Sequence, residues 1–229
     1  MLNNQKPTPR VDSDGAALLV HSIFPTIQGE GPFAGKPAHF IRLAGCNLQC
    51  PLCDTEYTQG AKYLAVEEIA RLVGGEIQLV VITGGEPFRQ NIGPLVKLLR
   101  LSGFTVQIET NGKLPSQDKS VYRNATIVVS PKTETIHPEM DEAAHCFKYV
   151  ISAGDVADDG LPIRALDHPV RAGSTIARPR DPILTYVQPA DHHDPVINAK
   201  NMAAAVAAVQ RKPRSRLLCL QMHKYAGLE

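Results

Sequence analysis

Seven short runs rich in β-branched residues recur along the chain, and this recurrence constrains the fold more than any other feature. The runs lie at residues 38–44, 77–83, 104–110, 125–130, 146–152, 183–189 and 216–222. Segments with helical periodicity separate several of them, notably 66–73, 92–101 and 199–210. Strands that alternate with helices are typical of a parallel sheet with crossover helices. The sequence therefore predicts an α/β fold.

The connections between these runs are uneven, which limits the kind of α/β fold. Residues 111–124 separate two predicted strands with barely one turn of helix, so a trimmed barrel fits better than a complete eightfold one. Residues 153–182 contain several Pro, Gly and Asp and little periodicity, and we expect either a partly ordered lid or a solvated insertion. We expect residues 1–16 to be a flexible tail and residues 17–229 to form one domain that carries this insertion.

Charge and hydropathy exclude several classes of partner. Lys and Arg total 24 against 23 for Asp and Glu, so no overall field attracts nucleic acid or an anionic membrane. The longest apolar runs fall short of a membrane span, and the polar start "MLNNQKPTPRVDSDG" is not a secretory signal. We therefore expect a cytoplasmic protein with a small-molecule partner.

Three of the five cysteines lie together in "GCNLQCPLCDTEYT", residues 45–58, with the spacing CxxxCxxC. An odd number of cysteines favours metal or reactive thiols over a disulfide framework. Structural zinc takes four protein ligands, whereas a cubane iron–sulfur cluster takes one thiolate for each iron, so three thiols leave one iron open. The other two cysteines, Cys146 and Cys219, lie in strand-like runs and are predicted to be core residues. A zinc site or a purely structural site stays open as the alternative.

The cysteine spacing together with "TGGEP" at Thr83–Pro87 resembles the radical S-adenosylmethionine (SAM) superfamily. The resemblance implies a [4Fe–4S] cluster on Cys46, Cys50 and Cys53. The open iron is then chelated by the amino and carboxylate groups of the cofactor's methionine, and reduction yields a 5′-deoxyadenosyl radical. Paired glycines let the backbone approach a ligand closely, and Glu86 offers a carboxylate to the methionine ammonium.

Three further short motifs follow predicted strands. They are "ETNG" at 109–112, "SPK" at 130–132 and "QPAD" at 188–191. Ligands in α/β sheets bind at the carboxyl ends of strands, so their shared placement predicts a binding rim. Each motif alone is also ordinary turn chemistry.

A longer match resembles the 7-carboxy-7-deazaguanine synthase family. It consists of "TIQGEGPFAGKPAHFIRLAGCNLQC", "CDT", "VITGGEP", "IETNG", "VSPK", "YVQPAD" and "LCLQMHKYAGLE", extends from about residue 20, and fails only in the insertion at 153–182. The resemblance implies a truncated, modified (β/α)6 partial barrel. It also implies a lyase that contracts the ring of 6-carboxy-5,6,7,8-tetrahydropterin with loss of ammonia, in queuosine-type 7-deazapurine biosynthesis. The implied partners are SAM, Mg²⁺, an electron donor such as flavodoxin, and a second copy of the chain in a homodimer.

The same resemblance implies residue roles. Thr55 would bind Mg²⁺, which keeps several waters and needs few protein ligands. The implied cofactor-binding residues are Leu52, Asp54, Gly85, Glu86, Ser130, Pro131, Lys132, Gln188, Pro189, Ala190 and Asp191. The implied substrate-binding residues are Ile27, Gln28, Gly29, Glu30, Arg42, Thr83, His223 and Glu229. Glu30 and Gln28 can accept hydrogen bonds from the N–H groups of an aminopyrimidinone, and the fork of Arg42 suits a carboxylate.

Three alternatives are weighed against this function. A glycyl-radical activase is another small CxxxCxxC enzyme, and a zinc-bearing interaction module would have no catalysis. "DHHD" at 191–194 resembles a metal cluster, but adjacent side chains of an extended chain point to opposite sides, so we do not expect the two histidines to share an ion.

Overall fold

In the part of the chain that the structure describes, the fold is built on one sheet of nine strands. The computed structural model describes residues 3–228. The strands are β1 (Ala17–Ile27), β2 (Pro37–Leu43), β3 (Lys62–Ala65), β4 (Leu79–Gly84), β5 (Thr105–Thr110), β6 (Thr126–Val129), β7 (Cys146–Ile151), β8 (Thr185–Pro189) and β9 (Arg216–Leu218). Their order is β3-β1-β2-β4-β5-β6-β7-β8-β9. From β2 to β9 neighbouring strands are parallel, and β1 pairs antiparallel with both β2 and β3.

Helices cross over between most of the parallel strands. They are α1 (Val66–Leu72), α2 (Gly93–Leu101), α3 (Val121–Asn124), α4 (Pro138–Ala143), α5 (Pro195–Arg211) and α6 (Met222–Tyr225), with short 3-10 turns at Gly31–Phe33 and Pro87–Arg89. The connection from β7 to β8 is instead the irregular insertion. The sheet ends at β3 and β9 without closing, so the predicted α/β partial barrel is confirmed.

Side chains along each strand alternate between an apolar face of the sheet and a polar face. On β5, Val106 and Ile108 point to the helices and belong to the main apolar core. The intervening Gln107 and Glu109 point to the opposite face, as does Lys148 on β7. Successive strand residues face opposite sides of a sheet. The inner face of the barrel is therefore polar near the carboxyl ends of its strands.

The seven predicted strands and three predicted helices are all present, with shifted ends. Helix α5 begins at Pro195 because Asp194 caps it, accepting hydrogen bonds from the N–H groups of Val196 (2.8 Å) and Ile197 (3.0 Å). The sequence analysis missed β1, whose side chains are mostly only half-buried, and the short edge strand β3.

The N-terminal strap, which we define as residues 3–11, lies across the cysteine-bearing segment 45–58, hereafter the cluster loop. Its backbone N–H groups donate to carbonyl oxygens of that region: Asn3 to Pro51 (2.8 Å), Thr8 to Cys46 (2.7 Å) and Val11 to Arg89 (2.8 Å). The segment that we expected to be a flexible tail therefore has defined hydrogen-bond partners.

The insertion at 153–182 packs against the body of the protein. Leu161, Ala165 and Ile176 are buried in the main core. The Leu52 N–H of the cluster loop donates to the Leu166 carbonyl at 3.1 Å. These contacts favour a partly ordered segment over a solvated one, and its movement as a lid stays a prediction.

A helix that crosses a bilayer must be both long and apolar. The longest helix, α5, has 17 residues. Within residues 3–228, no helix is both long and apolar enough to cross a membrane.

Candidate active site

The three closely spaced thiols follow β2 in the cluster loop, largely shielded from water. Burial raises the pKa of Cys46 to about 12 and that of Cys50 to about 11, and it also raises the pKa of Cys53. Each thiolate would further oppose ionisation of its neighbours. Thiols in this setting become thiolates when a metal supplies positive charge. The donor set therefore fits an iron–sulfur cluster.

The spacing of the ligands distinguishes a cluster from a single ion. No three His, Cys, Asp or Glu side chains among residues 3–228 are grouped around the position of one metal ion. The thiolates of a [4Fe–4S] cluster bind separate irons, so they need not converge on one point.

The "TGGEP" segment lies directly against the cluster loop. Gly84, which ends β4, has a φ of +111°, a conformation that side chains rarely adopt. The Glu86 N–H donates to the Gly45 carbonyl at 3.0 Å, and a Cβ on Gly85 would collide with that same carbonyl. Glycines are needed here because two backbones meet.

Glu86 is fully buried and heavily hydrogen-bonded. Its carboxylate accepts from the Thr110 hydroxyl (2.7 Å), the Asn111 N–H (2.8 Å) and the Phe88 N–H (3.1 Å). Burial nevertheless raises the pKa of Glu86 to about 7. Three of roughly four acceptor positions are thus occupied within the protein. Its predicted contact with the methionine ammonium stays a prediction.

The predicted rim motifs do lie at the carboxyl ends of their strands. Half-buried Lys132 donates from Nζ to the carbonyl (2.7 Å) and hydroxyl (2.6 Å) of Ser130, immediately after β6. Burial lowers the pKa of Lys132, and the three cluster-loop cysteines oppose that lowering. Lys132 therefore lies near the thiols. Pro131, which precedes Lys132 in the sequence, is buried.

A cavity of about 230 Å³ lies beside the end of β8. Its lining residues are Pro189, Ala190, Asp191, Asn198, Met202, Leu220, Gln221, Lys224 and Tyr225. Lys224 Nζ lies 3.2 Å from Asp54 Oδ2 and 3.6 Å from Asp191 Oδ2. Two predicted cofactor residues from distant parts of the sequence are thus joined by a lysine that the sequence analysis missed.

A second group of charges occupies the inner face of the barrel. Lys148 of β7 is buried and forms ion pairs with Glu30 and with Glu109, the latter at 3.3 Å. Gln28 Nε2 donates to Glu109 Oε1 at 3.1 Å, and Gln107 Nε2 donates to the same oxygen at 3.0 Å. Two carboxylates with one ammonium leave one net negative charge. We call this group, Gln28, Glu30, Gln107, Glu109 and Lys148, the charged pocket.

The ion pairs control ionisation within the charged pocket. Burial alone would raise the pKa of Glu30, but Lys148 holds it below the ordinary value. Burial alone would lower the pKa of Lys148, but Glu109 and Glu30 raise it. Glu30 and Lys148 are therefore both charged at neutral pH, so the Glu30 carboxylate acts as a hydrogen-bond acceptor.

Helix α6 closes one side of the charged pocket. The Met222 N–H donates to the Gly29 carbonyl at 3.3 Å, and any Cβ on Gly29 would collide with the His223 ring. Burial lowers the pKa of His223, while nearby Glu30 opposes that lowering. The structure thus brings His223 to the end of β1, next to Ile27–Glu30. Glu229 lies outside the described residues.

Four other predicted residues have less decisive surroundings. Arg42 is paired with Thr83 in the register of β2 and β4, and its guanidinium carbon lies 4.7 Å from the centre of the Phe24 ring. The Thr55 hydroxyl donates to Asp54 Oδ1 at 3.4 Å. Gln188 is buried, and its Oε1 has no hydrogen-bond partner within the described part of the chain. Their ligand roles stay predictions.

Two cysteines were assigned to the core from the sequence, and this prediction is confirmed. Cys146 and Cys219 are buried and form an apolar cluster with Val128 and Tyr186.

The sequence analysis did not predict functional roles for Lys148, Gln107 or Lys224, and it placed Glu109 in the binding rim without a specific role. A usable signal existed for Lys148: it interrupts the strand "CFKYVIS", and lysine is almost never fully buried unless it is paired. The partners of Lys148 could not be named because they come from the segment after β1 and from β5.

The family model for the radical SAM superfamily matches residues 40–153. A 7-carboxy-7-deazaguanine synthase from Rhodospirillum rubrum is 41% identical over 221 residues, covering 92% of each chain. The same-named protein of Rickettsia prowazekii is 37% identical over 234 residues, covering 96% of this chain and 92% of the relative.

The fold has a counterpart among solved structures. The crystal structure of QueE from Escherichia coli aligns with a TM-score of 0.66 at 23% identity, covering 89% of this chain and 93% of that one. This likeness concerns the fold, and the sequence relatives carry the assignment. The chain belongs to the 7-carboxy-7-deazaguanine synthase family of the radical SAM superfamily.

Proposed function

We propose that this protein is a radical SAM lyase that contracts 6-carboxy-5,6,7,8-tetrahydropterin to 7-carboxy-7-deazaguanine with release of ammonia, in queuosine-type 7-deazapurine biosynthesis. Family membership supports the reaction. The observation that carries it is that three largely shielded thiols follow a strand of the same sheet whose inner face holds a charged pocket rich in acceptors. When bound, the [4Fe–4S] cluster and SAM supply the radical chemistry.

The chain's own residues would hold the cofactors at the rim. Cys46, Cys50 and Cys53 bind the cluster and leave one iron for SAM. The backbone at Gly85, the "SPK" segment and the cavity beside "QPAD" surround SAM. Lys224 holds two sides of that cavity together through its contacts with Asp54 and Asp191.

The charged pocket suits the aminopyrimidinone edge of a pterin. That edge presents several N–H donors, and the carboxylate oxygens of Glu30 and Glu109 can accept such bonds. Lys148 on β7 keeps Glu30 ionised and holds the carboxylates of Glu30, after β1, and Glu109, on β5, in place. His223 covers the pocket from α6, and Arg42 would bind the substrate carboxylate with its planar fork.

Three finer assignments belong to this proposal. Thr55 provides the protein oxygen for one Mg²⁺, with substrate and water oxygens completing its shell. A low-potential protein such as flavodoxin donates the electron. The working unit is a cytoplasmic homodimer.

The test is a reconstitution under anaerobic conditions. Protein with a full complement of iron and sulfide is incubated with the carboxytetrahydropterin, SAM, Mg²⁺ and dithionite. Mass spectrometry should detect 7-carboxy-7-deazaguanine. A fully clustered preparation that gives no product would refute the proposal, and zinc in place of iron would instead favour the interaction module.

A further inference from the structure

Arg89 is a buried cation for which the proposed reaction gives no role. It ends the 3-10 turn that follows "TGGEP", and only 4% of its surface is exposed. Nη1 donates to the Pro9 carbonyl at 2.6 Å, and Nη2 donates to the Ala44 carbonyl at 3.1 Å. Nε is buried and has no hydrogen-bond partner among the described residues. Among residues 3–228, no carboxylate forms a salt bridge with this guanidinium.

A buried, unpaired guanidinium is costly. Carbonyl groups can satisfy its donors, but they carry only partial charges, and a buried ion normally requires a counter-ion. Arginine also stays protonated in proteins, so it does not avoid the cost by losing its proton. The position of Arg89 therefore points to an anion that is bound nearby.

The surroundings of Arg89 identify that anion. The guanidinium lies under Gly45, where a Cβ would come within 2.5 Å of Nη2, and Cys46 is the next residue. Burial lowers the pKa of Arg89, and the groups that oppose the lowering are the Tyr63 hydroxyl and the Cys46 thiol. Tyr63 is 67% exposed, and tyrosine is ordinarily neutral at pH 7. The counter-charge is therefore expected beside Cys46, in whatever the cluster loop binds.

The cluster that this loop would hold is anionic. The oxidised [4Fe–4S] core carries two positive charges and receives three thiolates, so the assembly is negative, and one added electron makes it more negative. A fixed cation stabilises the reduced state more than the oxidised one, because the reduced state carries more negative charge.

We propose that Arg89 is a positioning residue that supplies the buried counter-charge of the cluster and thereby raises its reduction potential. Its two carbonyl contacts also tie Ala44, the residue before the cluster loop, to the N-terminal strap. This inference rests on the proposed function only in requiring that the chain binds a [4Fe–4S] cluster.

The test compares variants that separate charge from hydrogen bonding. Arg89→Lys keeps the positive charge, and Arg89→Gln keeps an N–H donor without charge. Anaerobically reconstituted proteins are titrated with dithionite, and the reduced cluster is followed by electron paramagnetic resonance. We expect a lower potential for Arg89→Gln and a potential near that of the wild type for Arg89→Lys. Exposed Arg71→Gln, on α1, controls for loss of a surface charge and should leave the potential unchanged.

A second measurement compares thermal unfolding of each protein with and without its cluster. Cluster loading should raise the melting temperature more in the wild type than in Arg89→Gln. An unshifted potential in Arg89→Gln, or equal shifts in both variants, would overturn the proposal in favour of simple packing. If Arg89→Gln alone fails to hold a cluster, the proposal is supported, and if both variants fail, it is overturned.

The outcome is independent of the ring-contraction assay, because neither measurement uses the pterin. A wild-type protein that makes no product can still show the shift in potential. Conversely, an unshifted potential leaves the proposed reaction intact.

Discussion

The cluster loop and the charged pocket bury their polar groups in opposite ways. The loop collects three thiols from one short stretch of chain, and burial keeps them neutral until metal arrives. The pocket collects charged side chains from the segment after β1, from β5 and from β7, and these are already paired with one another. The loop depends on a local spacing, whereas the pocket depends on which strands are neighbours. Loss of one thiol should therefore spare the fold, but loss of one pocket charge should not.

The largest expected effect comes from removing one thiol of the cluster loop. Cys50→Ala should abolish the brown cluster absorbance and reduce activity to background, because two thiolates do not replace three. The melting temperature of the metal-free protein should barely change. Iron analysis, absorption and thermal unfolding measure these effects.

Cys146→Ala is the matched control, since Cys146 is a core thiol in an apolar cluster with Val128, Tyr186 and Cys219. It should retain iron and absorbance. A Cys50→Ala protein that keeps its cluster would mean that other ligands hold it.

The next largest effect should come from Lys148→Met. Removing one partner of a buried ion pair leaves uncompensated charge and costs about 3–5 kcal/mol of stability. Pterin binding should weaken by roughly tenfold or more, which corresponds to about 1.4 kcal/mol, while SAM binding stays unchanged. Denaturant unfolding and equilibrium binding measure the two quantities.

Lys148→Met combined with Glu30→Gln provides the matched control, because it also removes one unpaired carboxylate. The double variant should recover part of the stability lost by Lys148→Met. No recovery would contradict the pairing as the cause.

A smaller effect is expected in the pH dependence of stability, which should differ between Glu30 of the charged pocket and Glu86 beside the cluster loop. The pKa of Glu30 is lowered from 4.5 in the folded protein, so its contribution to stability is present above pH 4.5 and is lost as pH falls through the folded value. The pKa of Glu86 is raised from 4.5 to about 7, so its contribution is present below pH 4.5 and is lost as pH rises through 7.

The two carboxyls should therefore affect stability in opposite directions as pH falls from 7. Relative to Glu86→Gln, the metal-free wild type should gain stability between pH 7 and pH 4.5. Relative to Glu30→Gln, it should lose stability in more acidic solution. Denaturant unfolding at each pH measures both differences, and parallel curves for the two variants would contradict the assignment.

The smallest effect is expected for Lys224→Met. Lys224 bridges Asp54 and Asp191 at a partly exposed site, and such pairs contribute about 0–1 kcal/mol. The change in unfolding free energy should fall in that range and shrink at high salt. A loss of unfolding free energy as large as that of Lys148→Met would contradict this expectation. It would mean that the contacts around the cavity beside β8 stabilise the fold more than their exposure suggests.

The difference between local spacing in the cluster loop and strand order in the charged pocket explains what could be predicted from the sequence. Strands such as 104–110 and the spacing of Cys46, Cys50 and Cys53 are local patterns, so they were recognisable without a structure. The role of Lys148 was not recognisable, because its partners depend on strand order. The contacts of the N-terminal strap also escaped prediction, because its polar, proline-bearing sequence has no periodicity.

The contact between Gly29 and His223 joins the end of the first strand to the last helix. During synthesis, the cluster loop, the strap and "TGGEP" emerge from the ribosome well before α6 does. The thiols can therefore be presented to an iron–sulfur donor while the charged pocket still lacks one wall. Maturation of the metal centre and completion of the pocket are thus separable in time.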